Sequence, residues 1–193
     1  TEEYCDRVTR AAREKHKLDI CGSGSKAFLG HAVQGEKWLV HEHRGIVDYE
    51  PSELVISARA GTSLATLEST LAEQNQMFGF EPPHFGPGAT LAGCIACGLS
   101  GPRRPYAGSV RDHVLGVQII NGHGEALRFG GRVIKNVAGF DVARLMVGAM
   151  GGLGILLEVS LKVLPRAEVE RSVCLEISAT QALSMMNSLA GKP

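Results

Sequence analysis

The stretch DICGSGSKAFLG, residues 19–30, decides how the rest of the chain is read. Leu18 to Cys21 reads as a short strand, and it runs straight into two glycines set beside two serines and a lysine. Glycine reaches φ > 0 and carries no Cβ, so a strand feeding such a turn offers free backbone N–H groups to a phosphate. Ser23, Ser25 and Lys26 add donors. An ordinary polar turn has the same composition, and this loop alone does not separate the two readings. Gly22-Ser23-Gly24-Ser25-Lys26-Ala27 formally fits the G-x-G-x-x-A dinucleotide fingerprint, which needs a helix directly afterwards. The continuation FLGHAVQGEKW has two glycines and no helical stripe, so a Rossmann site is weakly supported. A P-loop fails outright, because four residues between the glycines and a following Gly-Lys-Ser or Gly-Lys-Thr are missing.

Outward from the loop, the bulk properties narrow the options. The chain has 193 residues, 44% of them hydrophobic and 21% charged, which is ordinary for one globular domain or two small lobes. Twenty basic residues balance twenty acidic ones, so the sustained positive surface needed by nucleic acid or an anionic membrane is missing, and an anionic ligand must be held locally. Glycine is the outlier at 24 residues, about 12%, against a usual ~7%. Backbone is being brought close to something. Five scattered cysteines, with no secretory signal at the start, point to a reducing, cytoplasmic setting. The longest apolar stretch, around Val142 to Leu164, is interrupted by Arg144, several glycines and Glu158, so a membrane span is not expected.

Periodicity gives a mixed α and β chain. Thr1 to Lys17, with Val8, Ala11 and Ala12 at helical spacing, predicts an opening helix. A second strand follows near Trp38 to His41, then two more at Ile46 to Tyr49 and Glu53 to Ala58, joined through Pro51. Thr62 or Ser63 is placed to cap a helix buried along Leu64, Leu67, Leu71 and Ala72. Phe78 to Gly108 has no strong period and is rich in glycine and proline, and so long an irregular stretch is usually functional. Val114 to Ile120 and Glu125 to Phe129 flank NGHG and predict a hairpin. A short helix near Val142 to Val147, a long strand from Gly154 to Val163, a strand at Val173 to Ile177 and a helix at Ala179 to Leu189 complete the expectation.

A second glycine-rich stretch, GPGATLAGCIACGLSGPRRPYAGSVRDHV at Gly86 to Val114, lets a flat or extended ligand lie against main chain. With GSGSKAFLG, EPPHFGPGATLAG, GLSGPRRPYAGSVRDHVLGV, FGGRVIKNVAGFDVARL and GAMGGLGILLEVSLKVLP in order from Leu18 to Pro165, the chain resembles the flavoproteins of the vanillyl-alcohol oxidase type, whose FAD domain is called the PCMH fold. Within that family the match is closest to the FAD-binding E subunits of bacterial glycolate oxidases.

The resemblance implies an α+β fold with two lobes: a small lobe with a parallel βαβ element at about residues 1–59, and a larger lobe with a mostly antiparallel sheet at about 60–165. Residues 166–193 would begin a C-terminal cap. FAD would lie extended between the lobes. By position in the motifs, Gly22, Ser23, Gly24, Ser25 and Lys26 would hold the pyrophosphate. Gly88, Thr90, Gly93, Cys94, Cys97, Gly98 and Ser100 would run beside ribityl and phosphate. Ser109 and Asp112 would follow near the diphosphate or the ring edge, and Gly154 and Ile155 would meet the adenine. The function implied is hydride acceptance or electron relay by FAD in a 2-hydroxy-acid (glycolate) oxidase or dehydrogenase complex, with a sibling flavin subunit and an iron–sulfur subunit as partners. Attachment to the inner membrane would come only through those partners. A noncatalytic assembly module of the same fold is the alternative.

Departures from the family pattern matter too. Ser25 stands where some relatives tether flavin through histidine, which implies noncovalent FAD. Cys21 replaces a common arginine or proline. Cys94-x-x-Cys97 lacks a second ligand pair for zinc and reads as small packing residues, with a disulfide or redox role left open. Pro102 to Pro105 is a basic loop that would steady phosphate, dock a partner or simply be solvated. Lys135, Asn136 and Asp141 lean towards structural roles. His41 and His43 read as surface residues, and His84 is the best-placed single histidine. No catalytic base can be named from the sequence.

Overall fold

The computed structural model describes residues 1–131 and 139–190, so Lys135 and Asn136 lie outside the described residues. The chain opens with helix α1, Glu2–Glu14, which has Glu2 and Glu3 in its first turn and Arg13 in its last, as the helix dipole favours. It buries Val8 and Ala11 and ends at Lys15 in the left-handed region. Strands β1, Leu18–Cys21, and β2, Glu36–Leu39, pair in parallel from Leu18↔Glu36 to Cys21↔Leu39. The crossover between them, residues 22–35, contains turns and no helix. Strand β2 starts two residues before the position expected from its apolar pattern. Gly35 is the reason: a Cβ there would sit 2.8 Å from the Lys17 carbonyl oxygen, and the bare backbone lets Glu36 N donate to that oxygen at 2.8 Å. Trp38 then drops into a cluster with Val8, edge-on to Tyr4 at 4.9 Å and under the Arg7 guanidinium at 4.4 Å.

The larger lobe begins with β3, Ile46–Glu50, a 3₁₀ turn at Pro51–Glu53, and β4, Val55–Arg59. Helix α2, Leu64–Glu73, is capped by the Ser63 hydroxyl, which accepts from Thr66 N, and buries Leu64, Leu67 and Leu71. There follow β5, Gln76–Phe78; α3, Leu91–Cys97; α4, Arg104–Ala107; α5, Val110–His113; β6, Val114–Ile120; and β7, Ala126–Gly130. Helix α6, Val142–Leu145, strand β8, Ile155–Pro165, and helix α7, Ala179–Leu189, close the described chain.

These strands build a six-stranded sheet in the order β3-β4-β8-β6-β7, with β5 added along β8. Every pairing in it is antiparallel. Strand β8 is the spine, paired with β4 (Val55↔Lys162), β6 (Ile120↔Ile155) and β5 (Gln76↔Pro165). Its period-two pattern buries Val159, Leu161 and Val163 on one face, while Leu157, at a register shift against β6, packs with Trp38. On the other, the Ser57 and Ser160 hydroxyls meet at 2.7 Å. A small parallel sheet beside a larger antiparallel one is the α+β architecture expected, but the expected βαβ element lacks its helix, and β3 and β4, expected within a small lobe reaching about residue 59, pair into the large sheet instead.

Two local expectations fail. Phe78 to Gly108 is not irregular throughout, because it holds α3 and α4. Val173 to Ile177 forms no strand; Val173, Leu175 and Ile177 are exposed, and an apolar alternation without a neighbouring edge cannot satisfy its backbone as a strand.

Candidate functional site

The first glycine loop leaves β1 and lies directly on the second. A Cβ at Gly22 would stand 2.6 Å from Thr90 Oγ1, and one at Gly88 would stand 3.2 Å from Ser23 Cβ. Only bare backbone fits this approach, and Gly24, at φ +75°, turns the chain in the region L side chains avoid. Thr90 is the N-cap of α3, its hydroxyl accepting from Gly93 N at 3.2 Å. The larger lobe fixes that point from both sides, since Leu64 N donates to Ala89 O at 2.9 Å and Leu91 N to Thr62 O at 2.8 Å.

Two cavities meet where the loops touch. One, of about 370 Å³, is lined by Gly22, Ser23, Gly24, Ser25 and Lys26 of the first loop, by Thr90, Gly93 and Cys97, and by Gly154 and Ile155 at the start of β8. Its walls are otherwise largely apolar, including Ile20, Leu29, Val40, Met146, Met150 and Leu156. The other, of about 520 Å³, is lined by Gly88 with His41, Arg44 and Thr66, and shares Gly22, Ser23, Gly61 and Thr90 with the first. At Gly61 a side chain has no room against the His41 carbonyl. Gly154, at φ +147°, similarly lets β8 begin against the Ile120 carbonyl, 2.6 Å from where its Cβ would be.

Lys26 stands out. It is 7% exposed, and its Nζ has no hydrogen-bond partner among the described residues. Burial pushes the Cys94 thiol up to about 12, while the Lys26 ammonium pulls the other way. Burial likewise raises Cys97, again opposed by Lys26. Both cysteines are free and neutral, and they sit on the body of α3 rather than at its first turn, so the thiolate activation seen at helix N-termini does not apply.

The segment after α6 is docked on α3: Gly148 N donates to Ile95 O and Met150 N to Ala96 O, each at 3.0 Å. Phe28 of the first loop and Phe85 of the second meet edge to face at 5.0 Å, both rings more than half exposed. His84, beside Phe85, bonds Glu68 on α2 at 3.0 Å, which ties that loop to the larger lobe.

Five of the residues expected from the sequence to hold the cofactor border neither cavity. Cys94 is fully buried in the core. Gly98 ends α3 at φ +66° against Gly148. The Ser100 hydroxyl accepts from Val110 N at 3.0 Å and so links α3 to α5. Ser109 and Asp112 form a reciprocal capping box at α5, with Ser109 N and Oγ each 2.8 Å from Asp112 Oδ2. Hydrogen bonds from the Ser109 backbone and side chain hold the Asp112 carboxyl below the usual range. Asp141 caps α6 by accepting from Arg144 N at 3.1 Å. The sequence reading passed over Ala60, Gly61, Met146 and Met150 as lining residues. Only Gly61, ahead of a capping serine, carried a visible signal.

The model of the FAD binding domain family matches residues 1–130. Glycolate oxidase subunit GlcE of Escherichia coli is 56% identical over 184 residues, which is 95% of this chain and 53% of that protein. Glycolate oxidase subunit GlcD of Bacillus subtilis is 29% identical over 90% of this chain and 37% of its own length. The mitochondrial D-lactate dehydrogenase [cytochrome] 1 of Saccharomyces cerevisiae is 33% identical over 87% of this chain and 30% of its own. The chain thus spans about half or less of the length of these curated relatives. The solved structure of an alkyldihydroxyacetonephosphate synthase superposes with a TM-score of 0.66 at 19% identity, covering 87% of this chain and 31% of that one, and so shares the fold.

Proposed function

The chain belongs to the FAD binding domain family, and from that premise we propose that it is the FAD-binding part of a subunit in a complex that oxidises glycolate or a related 2-hydroxy acid. The observation that carries the reading is the convergence of two glycine loops, Gly22 to Lys26 and Gly88 to Gly93, on one cleft that also holds an unpartnered buried ammonium. A diphosphate fits such a place. It needs close backbone approach, N–H and hydroxyl donors and local positive charge in a chain whose net charge is zero.

Gly22, Ser23, Gly24, Ser25 and Lys26 would hold the diphosphate from one side, with Thr90 and Gly93 on the other. The apolar walls at Met146, Met150 and Leu156 would take a flat ring and exclude water from it. Gly154 and Ile155 would present main chain to a base. Bound FAD supplies the ability to accept a hydride or pass electrons on, and the protein positions and electrostatically tunes it. Ser25 in place of a tethering histidine supports noncovalent binding. The names of the two glycolate oxidase relatives support a multi-subunit setting, and a sibling flavin subunit and an iron–sulfur subunit are the partners proposed. Among the described residues no helix is long and apolar enough to cross a membrane. A cytoplasmic location, with any membrane contact through partners, is part of the proposal.

Purified full chain is expected to carry flavin through gel filtration, released on denaturation and identified as FAD by chromatography. Glycolate or D-lactate should reduce it when partner subunits are present. A folded, colourless protein that takes up no FAD would leave the assembly-module reading in its place.

A further inference from the structure

Among the described residues, five other than glycine sit in the left-handed region: Lys15, Leu54, Asn75, Phe85 and Met150. Three of them have a local reason. Lys15 and Leu54 close helical turns, and Asn75 follows the end of α2, where asparagine is tolerated. Phe85 and Met150, at φ +48° and +51°, end no helix. Both are bulky and more than half exposed, and they touch the same loop of the small lobe two residues apart. The Phe85 ring meets Phe28, and Met150 Cε lies 3.5 Å from where a Cβ on Gly30 would be. Strain of this kind survives only where its surroundings hold it, and it gathers at clamps and switches.

The loop so held has little else to fasten it. Among the described residues, residues 23–33 hydrogen-bond only within their own turn: Ala27 N to Gly24 O and Leu29 N to Lys26 O, each at 3.0 Å, and Ser25 N to the Ser23 hydroxyl at 3.5 Å. Beyond its root at Gly22 and Ser23, the loop is therefore fastened to the large lobe by packing and not by hydrogen bonds. It lines the first cavity through Gly24, Ser25, Leu29 and Val33, and α3 contributes Cys97 to the same lining. We infer that the Phe28–Phe85 pair, with Met150 on Gly30 beside it, is a latch: it holds the first loop against the large lobe, and the loop swings clear when the rings part. The flavin reading, on which the inference rests in part, supplies what passes through. The gain from an edge-on ring pair and the strain of a left-handed phenylalanine are of comparable size, so the closed state is only narrowly preferred. Such a gate sets how fast cofactor exchanges and not how tightly it is held, because opening is as necessary for entry as for exit.

The test uses the full chain with Phe28→Ala, Phe85→Ala, the two together, and Phe28→Tyr, none at a residue bordering either cavity. Stopped flow gives the association and dissociation rates of FAD, with ADP as a second probe. Mass spectrometry gives the alkylation rate of each cysteine in the flavin-free protein. Each alanine variant is expected to raise both rates about fivefold and to leave Kd within about twofold. The double variant should be no faster than either single one, since the rings act through each other. Phe28→Tyr, which keeps the edge-on contact, should match the parent. Cys97 should alkylate about fivefold faster in the alanine variants, while Cys94, fully buried in the core, stays protected. Unchanged rates with unchanged Cys97 labelling overturn the inference. So does faster release with unchanged entry, which would make the rings ligand contacts, and so do multiplied effects in the double variant. Joint labelling of Cys94 and Cys97 overturns it too, since the fold would then be opening. If the unmutated chain takes up neither FAD nor ADP, the flavin reading falls by itself, and Cys97 labelling in the same variants still decides the latch.

Discussion

The small lobe meets the cleft with a two-stranded parallel sheet whose β1 residues are all only half-buried, whereas the large lobe meets it with a sheet whose spine is buried at Val159, Leu161 and Val163. A lone pair of strands is marginal in water. The small one stands because Trp38 packs with Val8 of α1 on Ile120, Ile155 and Leu157 of the large sheet, and because its loop leans on Thr90. The large sheet has its own contiguous core. One wall of the site is therefore built into the fold, and the other is held against it. A ligand that touches both contributes most to ordering the second.

The hardest blow to this contrast is expected from Leu161→Ala in β8, a fully buried side chain. Its loss should cost about 4 kcal/mol and unfold both lobes together, read as a single shifted transition in urea. Trp38→Ala should cost about 3 kcal/mol and behave differently. Amide protection should vanish in β1, β2 and α1 while β4, β6 and β8 keep theirs. Coincident loss in both lobes would mean the walls are one cooperative unit. Gly22→Ala should leave the large lobe intact but push the first loop off Thr90, weakening FAD binding about tenfold, or about 1.4 kcal/mol. Measured with Thr90→Ala in a double-mutant cycle, the pair should show coupling of about 1 kcal/mol; additivity would deny the contact.

The smallest effect is expected at Asp112, whose capping box belongs wholly to the large lobe. Because its carboxyl titrates below the usual range, its stabilisation is complete above the unfolded value and disappears as pH falls through the lower, folded one. Asp112→Asn should therefore cost only a fraction of about 1 kcal/mol at neutral pH, since solvent screens the exposed carboxylate, and nothing in strong acid, with small-lobe exchange unmoved. Denaturation across that pH range checks both halves.

What was legible in the sequence divides along the same line. Strand β8 and helices α1 and α2 announce themselves by period, since each buries one face against a neighbour. Helix α3 does not, because LAGCIAC is short and small-residued and stands by tertiary packing, a threonine cap and Gly98 at its end. Strand β5, of three residues, is below what alternation can reveal. At the site, both glycine loops were visible as compositions. Their meeting on one ligand came from the family resemblance and not from composition, since the contact of Gly22 with Thr90 is decided by how two lobes dock and leaves no local mark. Nor does Lys26 advertise its burial, because a lysine among serines and glycines is normally solvated.

Strand β8 runs from Ile155, in the wall of the cleft between the glycine loops, to Pro165, where it pairs with Gln76. Hydrogen-bonded on both sides, such a strand shifts together with its neighbours. Whatever is fastened beyond Pro165, be it more chain or a docked neighbour, has a handle on the cleft wall and can tug or brace it from a distance.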